Sequence, residues 1–219
     1  MATDVAGPDA MRRSLASGKF LIPLALISVL VLASGFVAIY VVHYYWNYSP
    51  AGLDVYWPRR AGFLVHISAG SVAILVGPWQ LWSGFRNKFR SIHRWTGRLF
   101  VASVVAGACA AYYLAATTTF GWGFGVGLAG LATAWLATTS VAYYAIMKRV
   151  VAIHRRWMVR AYVVTFGFVT FRLVDDWLPT SHLKPVDILA TTDAWACWAI
   201  PLLATTVIQA VVDVRRRAA

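Results

Sequence analysis

The residues with chemistry to offer in this chain are few. They are a histidine and an arginine inside apolar runs, and two histidines set among arginines. His66, Gly70, Ala73, Gly77 and Gln80 recur at spacings of four, three, four and three, which places them on one face of a helix. Small residues on such a face admit a close backbone, or leave room for a flat ligand beside the imidazole. Arg172 also lies inside an apolar run, with Asp175 and Asp176 three and four residues later. Those spacings allow contact on one helix face. The bland reading is a self-neutralised arginine that snorkels outward. The functional one gathers His66, Gln80, Arg172, Asp175, Asp176 and Asp193 into one polar pocket for an anionic group, a quinone oxygen or a proton path.

His93 and His154 present different chemistry. Neutral imidazole is a good iron ligand, and arginines pair well with carboxylates. One b-type haem could therefore take His93 and His154 as axial ligands, with Arg94, Arg98, Arg155 and Arg160 near its propionates. The same residues also suit plain interfacial anchoring. A two-haem bundle would need four intramembrane histidines in two pairs, and only His66 lies well inside an apolar run. His43 and His182 read as surface histidines. Cys109 and Cys197 lie in apolar runs with no metal-site spacing.

The elements that must position these groups are membrane helices. Of the 219 residues 60% are hydrophobic and 13% charged, against about 25% charged in a soluble domain. Six stretches are long enough to cross a bilayer: 20–45, 61–82, 95–117, 122–147, 157–178 and 189–212. The first follows Arg12, Arg13 and Lys19 like a signal sequence, but its apolar run continues past Gly35 and reads as an uncleaved anchor. The net charge of +12 does not point to nucleic acid, because the cations sit in short clusters between apolar runs. Sixteen of the 20 basic residues fall in the N-terminus, 86–98, 148–160 and the tail. Six spans put all four groups on one side, which the positive-inside rule makes cytoplasmic. The expected organisation is a cytoplasmic segment 1–19, a transmembrane domain 20–214 and a basic tail 215–219. Pro78 and Pro201 are expected to kink or end helices.

His93-Arg94-Trp95-Thr96-Gly97-Arg98 opens the third span, and His154-Arg155-Arg156-Trp157-Met158-Val159-Arg160 opens the fifth. Spans two–three and four–five therefore read as a parallel repeat of helix hairpins. The echo is incomplete, since the fourth span has no histidine.

The pieces His66-x3-Gly70-x2-Ala73-x3-Gly77-Pro78-x-Gln80, Arg86, His93-Arg94-x2-Gly97-Arg98, His154-Arg155-x-Trp157-Met158-x-Arg160 and Arg172 resemble a bacterial family of predicted membrane proteins, the domain of unknown function numbered 2306. Leu81 and Phe100 depart mildly from that pattern. The resemblance implies a multi-span fold and no activity.

The fold class expected is an all-α, six-helix transmembrane bundle in the bacterial cytoplasmic membrane, both termini inside. The leading functional expectation is a small redox-type membrane protein that binds one haem b or interacts with quinone. The alternatives are a transporter or lipid-binding protein with an outward-facing polar pocket, and a non-catalytic assembly subunit partnered by another membrane protein. No nucleic-acid partner is expected.

Overall fold

The computed structural model describes residues 24–177 and 186–218, with side chains described at 24–173 and 188–218. The described residues form helices and connecting turns, with no strand among them. Helix α1 spans Leu24–Trp46 and includes a π-helical stretch at Val37–Val41. A short turn, Pro50–Leu53 and Asp54–Arg59, leads into α2, Arg60–Arg86. Then follow α3 (Arg90–Ala116), α4 (Trp122–Met147), α5 (Val151–Thr165), α6 (Gly167–Trp177) and α7 (Val186–Ala218). Among the described residues, five helical stretches are long and apolar enough to cross a membrane: Leu24–Trp46, Pro50–Arg86, Arg90–Ala116, Trp122–Met147 and Ile188–Ala218. The segment expected as one fifth span is instead the pair α5 and α6, interrupted at Phe166. There the backbone N–H is shared between the Tyr162 and Val163 carbonyls.

The turns from α2 to α3 and from α4 to α5 close the preceding helix in the same way, although Phe89 in the first adds a second positive φ that Val150 in the other lacks. Asn87 and Arg149 adopt positive φ, 55° and 60°. The next residue's N–H then reaches back to the carbonyl five positions earlier, Lys88 to Ser83 and Val150 to Ala145. This is a Schellman-type closure of the preceding helix. The following helix starts within three residues, so each turn forces an antiparallel neighbour. His93 and His154 each sit four residues past the N-cap of the new helix, Phe89 and Val150.

The core is built from α2, α3, α4 and α5. Ala73, Phe100, Val104, Ala108, Ala132, Trp135, Tyr162 and Val164 form its centre. Helices α1 and α7 are mostly exposed, with Leu32, Ile39, Leu203, Ile208 and Val214 on the surface, as expected of helices facing lipid. Pro78 and Pro201 neither end nor interrupt their helices, and the surroundings of Pro78 show why. A proline has no N–H for the carbonyl four residues back, which here is Ile74. The Tyr162 hydroxyl donates to that carbonyl at 2.8 Å. Gly77 makes the room: a Cβ there would lie 1.7 Å from Tyr162 Cε2.

The glycines of α4 seat α7. A Cβ at Gly127 would meet Ala194 Cβ at 3.0 Å, and one at Gly130 would meet Trp198 Cζ2 at 3.0 Å. The glycines near the start of this helix therefore mark a close contact.

Candidate functional site

Two concavities lie at opposite ends of α2, and several of the residues singled out in the sequence line one or the other.

The first surrounds His66. Gly107 on α3 has no side chain, so α3 closes against Ala69 and brings its carbonyl within 3.0 Å of His66 Nδ1. A carbonyl only accepts, so Nδ1 carries the proton. In neutral imidazole, Nε2 is then left with its lone pair. The ring meets Phe168 edge-on, centroids 5.5 Å apart. One turn beyond Phe168, Arg172 donates from Nη2 to the Tyr44 hydroxyl on α1 at 2.7 Å. Tyr44 in turn packs edge-on against Phe63 at 4.8 Å.

These groups wall a cavity of about 140 Å³, lined mainly by apolar and aromatic side chains. His66, Gly70 and Arg172 all line it, as do Arg59, Trp135 and Phe168. A Cβ at Gly70 would meet nothing within 4 Å, so the small-residue stripe leaves open space at Gly70 and is filled by Tyr162 at Gly77. Arg59 donates to the carbonyls of Thr117 and Val55, which holds it at the rim. Two irregular backbone segments within the bundle border the cavity. Val37, Tyr40 and Val41 come from the π stretch, and Thr165 and Phe168 flank the interruption at Phe166. Irregular backbone in a membrane protein belongs where it lines a cavity. Neither irregularity has a marker in the amino-acid pattern.

The second concavity, of about 470 Å³, lies at the basic end. It is lined by Ser83, Lys88, Arg90, His93, Arg94, His154 and Arg155, among others. His93 Nδ1 lies 2.8 Å from Ser83 Oγ. His154 Nδ1 donates to the Ala142 carbonyl at 2.9 Å. Each imidazole is thus fastened by Nδ1 to the helix before its own. Arg155 donates to the Gly84 carbonyl at 3.0 Å, bridging α5 to α2.

Gln80 is a correction. It is expected in the pocket with His66, but its amide nitrogen donates to the His93 carbonyl at 3.0 Å and to Thr96 Oγ1, and it lines the basic concavity. Fourteen residues separate it from His66 on one helix, about 21 Å at 1.5 Å per residue. A shared face is not a shared depth. Asp193 lies on α7, half-buried, and the described lining of the His66 cavity does not include it. Asp175 and Asp176 fall in the last turn of α6; their side chains lie outside the described residues, as do His182, Lys184 and the segment 1–19. Of the four arginines expected near propionates, Arg94 and Arg155 line the concavity. Arg98 and Arg160 instead stack over Trp95 and Trp157, at 4.8 and 4.5 Å. Arg160 also donates to Gln209 Oε1 at 3.0 Å.

Sequence reasoning missed several wall residues. Neither Tyr44 nor Ser83 stands out in the sequence, although Ser83 continues the Gln80 face by three residues. Trp135 and Gly107 carried no distinguishing signal.

Long apolar helices, lipid-facing flanks and cavities set within the bundle define a polytopic helical membrane protein. The chain belongs to the predicted membrane protein family known as domain of unknown function 2306, whose model matches residues 63–217. No curated protein and no solved structure matches the chain.

Proposed function

We propose that this protein binds a small amphipathic ligand of the quinol class in the cavity around His66. The observation that carries this reading is the pairing of opposite hydrogen-bonding roles across an aromatic-lined space. His66 Nε2 offers a lone pair and the Arg172 guanidinium offers donors. A ring with an O–H at one edge and an oxygen at the other satisfies both, and its apolar body suits walls of aromatic side chains. The bundle crosses the membrane six times, with α5 and α6 together making the fifth crossing. The basic end is cytoplasmic by the positive-inside rule, so the His66 cavity lies in the outer half of the bilayer. The two matching turns, and the matching Trp95–Arg98 and Trp157–Arg160 stacks, support a duplicated hairpin.

The hydrogen-bonding roles make the reading specific. A quinol can donate to His66 and a quinone cannot, so the reduced form binds more tightly. Titration of the purified protein in phosphatidylcholine nanodiscs with a decyl-chain benzoquinone and its quinol tests this. The expected result is saturable binding that favours the quinol, with the preference lost in His66→Phe. Absence of saturable binding, or equal affinity for both forms in wild type, overturns it.

A second reading, one haem b between His93 and His154, is favoured by one observation. Both rings line the same concavity, and His154, with Nδ1–H donating to a carbonyl, has the tautomer that leaves Nε2 for iron. Pyridine haemochrome analysis tests it: a Soret band lost on replacing either histidine supports haem, and a colourless, folded wild type rejects it.

A further inference from the structure

We propose that the concavity at the His93 end is a binding site for a phosphate-type anion, carried either by a lipid headgroup or by a free solute. The inference is independent of the ligand at the His66 end. Four cationic side chains, Lys88, Arg90, Arg94 and Arg155, border one open space of about 470 Å³ together with His93 and His154. That size is within the range of small-ligand sites, about 300–1,000 Å³. Its described lining contains no carboxylate. The described salt bridge of the chain, Arg156 to Asp213, lies elsewhere. Like charges gathered around a concavity repel one another, and an anion seated among them removes that cost.

The backbone adds to the same field. Arg90 and Val151 are the first residues of α3 and α5 and both line the space. Neither helix receives a side-chain cap at its N-terminus. Both helix ends therefore present unsatisfied N–H groups and the positive ends of their dipoles. Arg94 and Arg155 supply planar donors suited to phosphate oxygens. An amphipathic anion in the membrane and a soluble phosphate meet the same donors.

General attraction between a basic membrane face and anions would not depend on which cation is removed. Lys148 provides the control. It belongs to the same basic cluster in sequence, lies over the Tyr144 ring at 5.5 Å and is not among the described residues lining the concavity. Two arms separate the sources. Native mass spectrometry of the detergent-purified protein is titrated with phosphatidic acid against phosphatidylcholine. Calorimetry in phosphatidylcholine nanodiscs is run with inorganic phosphate. The expected result is saturable one-to-one binding in at least one arm. Arg94→Gln and Arg155→Gln each weaken it about tenfold, and Lys148→Gln changes it less than twofold. Melting temperatures confirm that each variant is folded, and Arg94→Gln alone decides the matter should Arg155→Gln fail to fold. Binding in the lipid arm alone assigns a headgroup, and binding in the phosphate arm alone assigns a solute. Equal weakening by Lys148→Gln, no saturable binding in either arm, or a haem spectrum that depends on His93 and His154 overturns the proposal.

Discussion

The concavities at the two ends of α2 are both lined by histidine, His66 at one and His93 with His154 at the other, yet their surroundings differ in kind. His66 is held by a carbonyl exposed through a glycine, inside a wall of aromatic rings, with Arg172 reaching across to Tyr44. His93 shares an open concavity with His154 and four cations. The difference lies in what the neighbouring helices contribute. At the His66 end α1, α4 and α6 close the space with apolar side chains. At the other end two helix beginnings leave it open and positive. A histidine's spacing on its own helix therefore says little about its chemistry, and the facing helices decide it.

The largest expected effect that separates the ends is at Arg172. Removing a charged donor to a bound oxygen costs about 1.5–3 kcal/mol, or roughly 10- to 100-fold in affinity. Arg172→Lys should weaken quinol binding by that much, because an ammonium does not reproduce the planar fork, while anion binding at the basic end stays unchanged. Loss at both ends would mean that the variant disturbs the whole bundle and would break the comparison.

Next comes the stripe on α2 itself. Gly77→Ala forces a Cβ into the Tyr162 ring, and overpacking of this kind costs about 1–3 kcal/mol. Gly70→Ala meets open space and should leave the melting temperature near that of wild type while reducing ligand affinity. Thermal denaturation of the two variants side by side checks this; equal destabilisation would show that the cavity at Gly70 is not an open space in solution.

A smaller effect is expected at Trp135→Phe. The indole donates to Thr165 Oγ1 at 2.9 Å beside the interruption between α5 and α6, and losing such a bond costs about 1 kcal/mol. Denaturation measurements should show that loss, with a further reduction in ligand binding. The smallest effect is at Asp213→Asn. Its ion pair with Arg156 is about one-third exposed on both sides, so the stability change should stay under about 1 kcal/mol with binding at both ends intact.

Much of this architecture was legible in the sequence because lipid imposes long apolar runs: 61–82, 122–147 and 189–212 lie within observed helices, and 95–117 overruns α3 by one residue. The start of α5 was not. Residues 151–156 are too polar to read as membrane helix, yet Arg155 and Arg156 are satisfied by Gly84 and Gln209 on other helices. The interruption at Phe166 left no trace, since neither Thr165 nor Gly167 is diagnostic alone. Pro78 was read as a break because the sequence cannot show that Tyr162 takes up the carbonyl it frees. His66 and Arg172 line one cavity, although no spacing on a single helix links them. Gln80 shares a helix face with His66 but not its depth, and a residue pattern shows the first more readily than the second.

The claim that the His66 cavity receives a ligand is tested most directly by photoaffinity labelling with a diazirine-bearing short-chain quinol. The account predicts labels on the cavity wall, at Tyr44, Phe168 and Trp135, displaced by unlabelled quinol and lost in Gly70→Leu. Labels confined to the lipid-facing surfaces of α1 and α7, such as Leu32 and Ile208, and unchanged by Gly70→Leu, would contradict it.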